Sequence, residues 1–415
     1  MKRLLMIAFQ YPPFAASSGI QRTLYFTRHL PRFGWEPLVL TAHPRAYERV
    51  NRSQLDDTAA TGVVERAFAL DSARHLALVG RYPAFVARPD RWVTWWLGAV
   101  PRGLAMIRKY RPDAIWSTYP IATTHKIAHT LHRLSGVPWV ADFRDPMAQE
   151  GYPADPRTWQ SFKRIEEDAL HRAARTVFVT PGAARVYRER YPEVSGSRIT
   201  VIENGYDEDA FAQLAGAAAR ESPLAPGAFT LLHSGVVYPS ERDPTQFFQA
   251  LRRMLDAGRL RPGELHVRLR ASAHEGPLQN LIDRFQVTDV VELAPPIPYR
   301  EALLEMMRAD GLLVLQAANC NEQIPAKVYE YLRCRRPVLG LTDPAGETAG
   351  LLRRAGIPGI ARLDSPGDIA LELRRFLDQA TRGTAPLPDA AVVAATSRLH
   401  RARELAALLD GLEQR

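Results

Sequence analysis

Two carboxylates and a lysine share one short stretch of this chain. Glu322 and Glu330 flank Lys327 in Asn321-Glu322-Gln323-Ile324-Pro325-Ala326-Lys327-Val328-Tyr329-Glu330-Tyr331-Leu332. Proline fixes its own φ and supplies no N–H, so it fits the first turn of a helix. A helix is therefore predicted to begin near Pro325 or Ala326, with Glu322 in the loop ahead of it and Glu330 about a turn beyond Lys327. The N–H groups of that first turn, with the helix dipole, favour an anion in front of them. The lysine adds a cation, and the two carboxylates can accept hydrogen bonds from hydroxyls. Such a pocket suits a sugar carried on a diphosphate. A capped surface helix with solvated glutamates would read the same way from spacing alone.

The choice of lysine is itself informative. The chain holds 54 Lys plus Arg, of which five are Lys and 49 are Arg. Where arginine is the habitual cation, a retained lysine suggests a compact point charge rather than a planar fork. Further candidate chemistry lies upstream. Phe229-Thr230-Leu231-Leu232-His233-Ser234-Gly235 reads as a strand entering a glycine, and Arg242 follows in the next loop. Gly235 would let the backbone approach a nucleotide, while Arg242 would clamp a diphosphate. Asp142-Phe143-Arg144-Asp145-Pro146 closes another apolar strand. There Arg144 either holds phosphate or acceptor, or is paired with Asp142 or Asp145. Pro295-Pro296-Ile297-Pro298 is placed to meet a nucleobase through the backbone at Ile297, or is simply a rigid connector.

The elements that must position these groups alternate strand and helix twice over. In the first half, strands are predicted at Leu4–Phe9, Trp35–Leu40, 112–118, 138–143, 175–180 and 199–202, with helices at Gln21–Leu30 and about 123–135. Continuous apolar runs of this kind belong to parallel sheets covered on both faces. Ser17-Ser18-Gly19, after the first strand, would lie where such sheets bind ligands, or form an ordinary turn. An Ala/Gly/Pro-rich stretch from Leu214 to Gly227 is the predicted boundary. The pattern then restarts, with strands at 229–235, 265–269, 290–293, 311–315 and 337–339. The predicted division is 1–210 with a returning helix at about 389–415, and 225–388.

At 415 residues two cores are expected. Two cysteines, Cys320 and Cys334, form neither a disulfide framework nor a metal cluster pattern, which fits a reducing compartment. A net charge of +9 and pI near 9.7 favour anionic partners. No basic block is interleaved with aromatics, so nucleic acid is not expected. The first residues are too briefly apolar for a signal peptide, and no apolar run is long enough to span a membrane. The Trp- and Arg-rich segment 81–111 suits either core packing or peripheral membrane contact. No G-x-G-x-x-G follows the first strand, which argues against a dinucleotide oxidoreductase.

The Glu322-x7-Glu330 pair, set in P-x-K-x-x-E-Y-L and followed by R-P-V-L-G, resembles the E-x7-E signature of retaining glycosyltransferases of family 4. The resemblance extends over nearly the whole chain and is most specific at 229–250 and 320–350. It implies an α/β protein of GT-B fold, two Rossmann-like domains facing a cleft. It also implies transfer of a sugar from a nucleotide-diphosphate sugar to an acceptor hydroxyl with retention. Glu322 would then contact the donor sugar, Glu330 the ribose, and Arg242 with Lys327 the diphosphate, while Ile324, Pro325, Ala326, Gly235 and Ile297 line the donor. Asp142, Arg144 and Ser18-Gly19 would form the opposing wall, and no metal or other cofactor would be needed. The chain departs from the family where a histidine is commoner than Arg144, where Val236 replaces an arginine, and where Ser18 replaces a glycine. The implied acceptor is a glycan or lipid-linked sugar; the basic charge and the Trp-rich segment point to an envelope or exported polysaccharide, built by a cytoplasmic protein at the inner membrane face. A GT-B nucleotide-sugar epimerase and a non-catalytic nucleotide-sugar-binding protein remain as alternatives.

Overall fold

The computed structural model describes residues 1–15, 19–51, 62–77, 82–218 and 223–412. The chain divides into two compact units, Met1–Glu203 with Arg398–Arg415, and Asn204–Ser397.

The first unit is built on a seven-stranded sheet. Its strands are β1 (Lys2–Ile7), β2 (Trp35–Ala42), β3 (Val63–Ala67), β4 (Ala114–Thr118), β5 (Trp139–Arg144), β6 (Arg175–Phe178) and β7 (Ile199–Val201). They run parallel in the order β3-β2-β1-β4-β5-β6-β7. Leu4 to Ile7 are wholly buried, as a strand covered on both faces requires. Leu5, Ile7, Leu40, Ile115 and Trp139 pack on one side, and Leu4, Met6, Val39, Trp116 and Val140 on the other. Helices start where the sequence supplies caps. Asp155 accepts from Thr158 N ahead of Pro156, and Thr180 accepts from Ala183 N ahead of Pro181. The helix Arg398–Asp410 belongs to this unit, burying Ala402, Leu405, Ala406 and Leu409 beside Phe26 and Trp116.

The second unit carries a six-stranded parallel sheet. Its strands are β8 (Phe229–Ser234), β9 (Leu265–Arg270), β10 (Val291–Ala294), β11 (Gly311–Gln316), β12 (Val338–Thr342) and β13 (Ile360–Ala361), in the order β10-β9-β8-β11-β12-β13. β11 is buried along its whole length. A helix, Glu208–Ala218, covers the start of the Ala/Gly/Pro-rich stretch, and its Phe211 and Leu214 pack with Leu303 and Met306 in this unit.

In each sheet the strand order reverses once, between β1 and β4 and between β8 and β11. Ligands of such sheets bind beyond the carboxyl ends of the strands at that reversal. Two Rossmann-like sheets of this kind make the GT-B fold that the resemblance implies.

Candidate active site

In the second unit, the groups singled out by the sequence gather where β8 and β11 end. β8 stops at Ser234, and Gly235 turns the chain with φ of 111°, a conformation that suits a residue without a Cβ. A Cβ there would also lie 3.0 Å from Lys327 Nζ, so the lysine side chain runs against the bare glycine. Lys327 is the first residue of a helix that continues to Cys334, which places the start within two residues of the predicted one. Its amine lies 3.0 Å from His233 Nε2. Arg242 donates from Nη1 to the Val236 carbonyl at 2.7 Å and stacks over Tyr238 at 5.1 Å.

Electrostatics bind these groups together. Burial and the neighbouring Arg242 push Lys327 well below the ordinary lysine range, against an opposing pull from Glu330. Burial, then Lys327, hold His233 well below the usual imidazole range, so it is neutral. Glu330 accepts from the Tyr299 hydroxyl at 2.8 Å, with Tyr299 exposed just past the Pro295–Pro298 turn that carries Ile297. Glu322 sits in the loop between β11 and the helix. That loop is fixed by Gln316 Nε2, which donates to the Cys320 carbonyl at 2.8 Å and the Gln323 carbonyl at 3.0 Å. Burial, Glu241 and Glu322 raise the Cys320 thiol to about 11, although Arg242 opposes them. Asn321 joins the same loop to the next one through Asp343, at 2.7 Å. Ile324 is buried in the core with Val328 and Tyr329, so only its backbone can meet a ligand, whereas Pro325 is half-buried and Ala326 exposed.

The reversal point of the first unit is organised differently. Asp142 is fully buried, and Arg22 grips it with Nε and Nη2 at 2.7–3.1 Å. Thr118 donates to its second oxygen at 2.7 Å. Arg22 also donates from Nη2 to the Ile202 carbonyl at 3.0 Å. The expectation that Asp142 walls a ligand site is thus corrected: its carboxylate is spent inside a sealed ion pair. Arg144 does not take Asp142 as its partner. It ends β5 with φ of 60°, beside a shift in the β5–β6 register, and its Nη1 donates to the Gly19 carbonyl at 3.0 Å. Tyr119 O lies 3.4 Å from the same nitrogen, so one guanidinium spans the loops after β1 and β4. Ser18 lies outside the described residues. The Trp-rich segment turns inward in part: Trp95 is fully buried, and Trp96 donates to Thr130 at 3.0 Å. Arg81 is outside the described residues.

Residues 19–210 match the model of Glycosyltransferase Family 4. The fold is GT-B. Solved structures agree over nearly the full length. A glycosyltransferase of Rickettsia africae superposes with a TM-score of 0.63 at 12% identity, covering 99% of this chain and 98% of the other. Alr3699/HepE of Anabaena, in complex with UDP and glucose, gives 0.66 at 14% identity, covering 99% and 100%. A UDP-forming trehalose-phosphate synthase of Burkholderia xenovorans, with glucose-6-phosphate, gives 0.65 at 13% identity, covering 99% and 100%. No curated protein sequence matches the chain.

Two residues of the protein escaped the sequence reading. His233 had a visible signal, a lone imidazole inside the apolar run Leu231–Leu232 of a buried strand. Arg22 had none, because nothing in the sequence singles out one arginine among 49 as the partner of Asp142. Among the described residues, no group of three or more His, Cys, Asp or Glu is placed to hold a metal ion. No described helix is long and apolar enough to cross a membrane.

Proposed function

We propose that the protein moves a sugar from a nucleoside-diphosphate sugar to an acceptor hydroxyl, retaining the anomeric configuration, in the assembly of envelope or exported polysaccharide. The observation that carries this reading is the grouping of Lys327, Arg242 and Glu330, with the Glu322 loop, at the carboxyl ends of β8 and β11. Two cations at a strand reversal suit a diphosphate, and charge on that group grows as the sugar leaves. Lys327 and Arg242 meet the diphosphate, with Gly235 letting it come close to the backbone. Glu330 accepts from the ribose and Glu322 from the sugar, while the backbone at Ile297 meets the base and 324–326 close the pocket. Cationic side chains stand in for a metal here, and no cofactor is required.

The acceptor is a glycan or lipid-linked sugar, with Arg144 and Gly19 contributing to its site. The protein acts in the cytoplasm at the inner face of the membrane, with no nucleic acid partner. Solved neighbours carrying UDP with glucose, or glucose-6-phosphate, support a nucleotide-sugar donor and a sugar acceptor.

Thermal-shift screening against a panel of nucleotide sugars is the test. One or more donors should raise the melting temperature, and Glu330→Ala should abolish the rise. Equal shifts in variant and parent refute the ribose assignment. Donor conversion without an acceptor would mean an epimerase, and binding without any turnover would mean a non-catalytic partner.

A further inference from the structure

Resting on the donor reading above, we propose that His233 parks the Lys327 amine before the donor binds, and that a diphosphate is bound together with one proton taken up at Lys327 Nζ. His233 Nδ1 lies 2.9 Å from the Leu313 carbonyl, which can only accept. The ring hydrogen is therefore on Nδ1, and Nε2 offers its lone pair to Lys327 Nζ at 3.0 Å. The imidazole is wholly buried in β8, so this acceptor is fixed in place.

A neutral acceptor holds an amine in either protonation state but brings no compensating charge. The groups around the amine are Arg242 from the loop after β8, which opposes a positive charge, and Glu330 on the lysine's own helix, which favours one. Tyr331, on the same helix, accepts from Ser234 N at 2.8 Å. Burial and Arg242 together outweigh Glu330 and hold Lys327 well below its ordinary range. The missing negative charge is what a diphosphate supplies. On its arrival the amine becomes an ammonium, the proton coming from solvent, and on its departure that proton returns to solvent. An arginine could not do this, because its guanidinium stays charged at any working pH. That accounts for a lysine at this one place in an arginine-rich chain.

With only five lysines, competitive acetylation followed by peptide mass spectrometry can titrate each one across a pH series. The Lys327 midpoint should lie well below that of Lys2, and inorganic pyrophosphate should raise it. His233→Leu should depress the midpoint further and weaken pyrophosphate binding roughly tenfold, as loss of one hydrogen bond to a charged group predicts. His233→Gln keeps an accepting oxygen and should stay close to the parent, which separates positioning from a fault in folding. A midpoint equal to that of Lys2, or one unmoved by pyrophosphate, overturns the proposal. An unchanged midpoint in His233→Leu removes His233 from it. UDP or GDP binding without a midpoint shift sinks the proton linkage and leaves the donor reading standing. A pyrophosphate-induced shift in a protein that no nucleoside diphosphate stabilises does the reverse.

Discussion

The two sheet reversals of this molecule handle charge in opposite ways. At the end of β5, Asp142 and Arg22 satisfy one another completely, with carbonyl and hydroxyl groups filling what remains. At the end of β8, burial and Arg242 oppose a positive charge on Lys327, beside a neutral imidazole. A closed pair inside the protein resists loss of either partner, because the survivor is left as an uncompensated buried charge. An amine whose charge is opposed by burial and a neighbouring cation becomes favourable to protonate when an anion arrives from outside. The first arrangement belongs to holding the fold, and the second is the one proposed to bind.

The largest expected effect falls on the first side. Asp142→Ala should destabilise the protein by about 3–5 kcal/mol in urea unfolding, by stranding Arg22. Replacing the pair together, as Arg22→Met with Asp142→Leu, should recover most of that loss. An Asp142→Ala protein as stable as the parent would erase the contrast.

His125 gives a second probe of the same unit. It is fully buried, lies 2.8 Å from Ser117 Oγ, and burial pulls it from 6.5 to about 4. Because the folded value is the lower one, its contribution is complete above about 6.5 and is lost as pH falls towards about 4. A shift of this size corresponds to about 3 kcal/mol at most. Unfolding curves through that window should show His125→Gln losing less stability than the parent, and parallel curves would dismiss the histidine.

On the second side, Arg242→Ala should weaken donor binding by about 1.5–3 kcal/mol, the worth of hydrogen bonds to a charged group. Calorimetry should show this with the urea midpoint nearly unmoved. A comparable loss of stability would make Arg242 a structural residue and blunt the comparison. The smallest effect is expected from Tyr299→Phe, which frees Glu330 from one hydroxyl. A change in donor affinity of about 0.5–1.5 kcal/mol is expected from a single neutral hydrogen bond. A larger one would place Tyr299 itself against the ligand.

Much of the fold was legible because buried parallel strands announce themselves as unbroken apolar runs, as in Leu4–Ile7 and Gly311–Leu315. β3 and β13 escaped for physical reasons. Val63–Ala67 is an edge strand with Glu65 and Arg66 interrupting its apolar pattern, and Ile360–Ala361 is only two residues long. The tail was read as one helix from about 389 to 415, but Thr396 and Ser397 part it into Ala390–Ala395 and Arg398–Asp410. In the site, local groups were readable and distant pairings were not. Pro325 set the helix start, whereas the partners of Asp142 and Lys327 lie 120 and 94 positions away in sequence. Charge identity is written in the sequence, but which opposite charge it will meet is decided by the sheet.

The helix Arg398–Asp410 seals one face of the first sheet, yet every residue of the second unit is translated before it. At ~5–20 residues per second, the ribosome needs on the order of 10–40 s to make that intervening stretch. For that interval Trp116 and Phe26 lack their final cover, so the nascent first half waits with an apolar face open, a natural target for a chaperone.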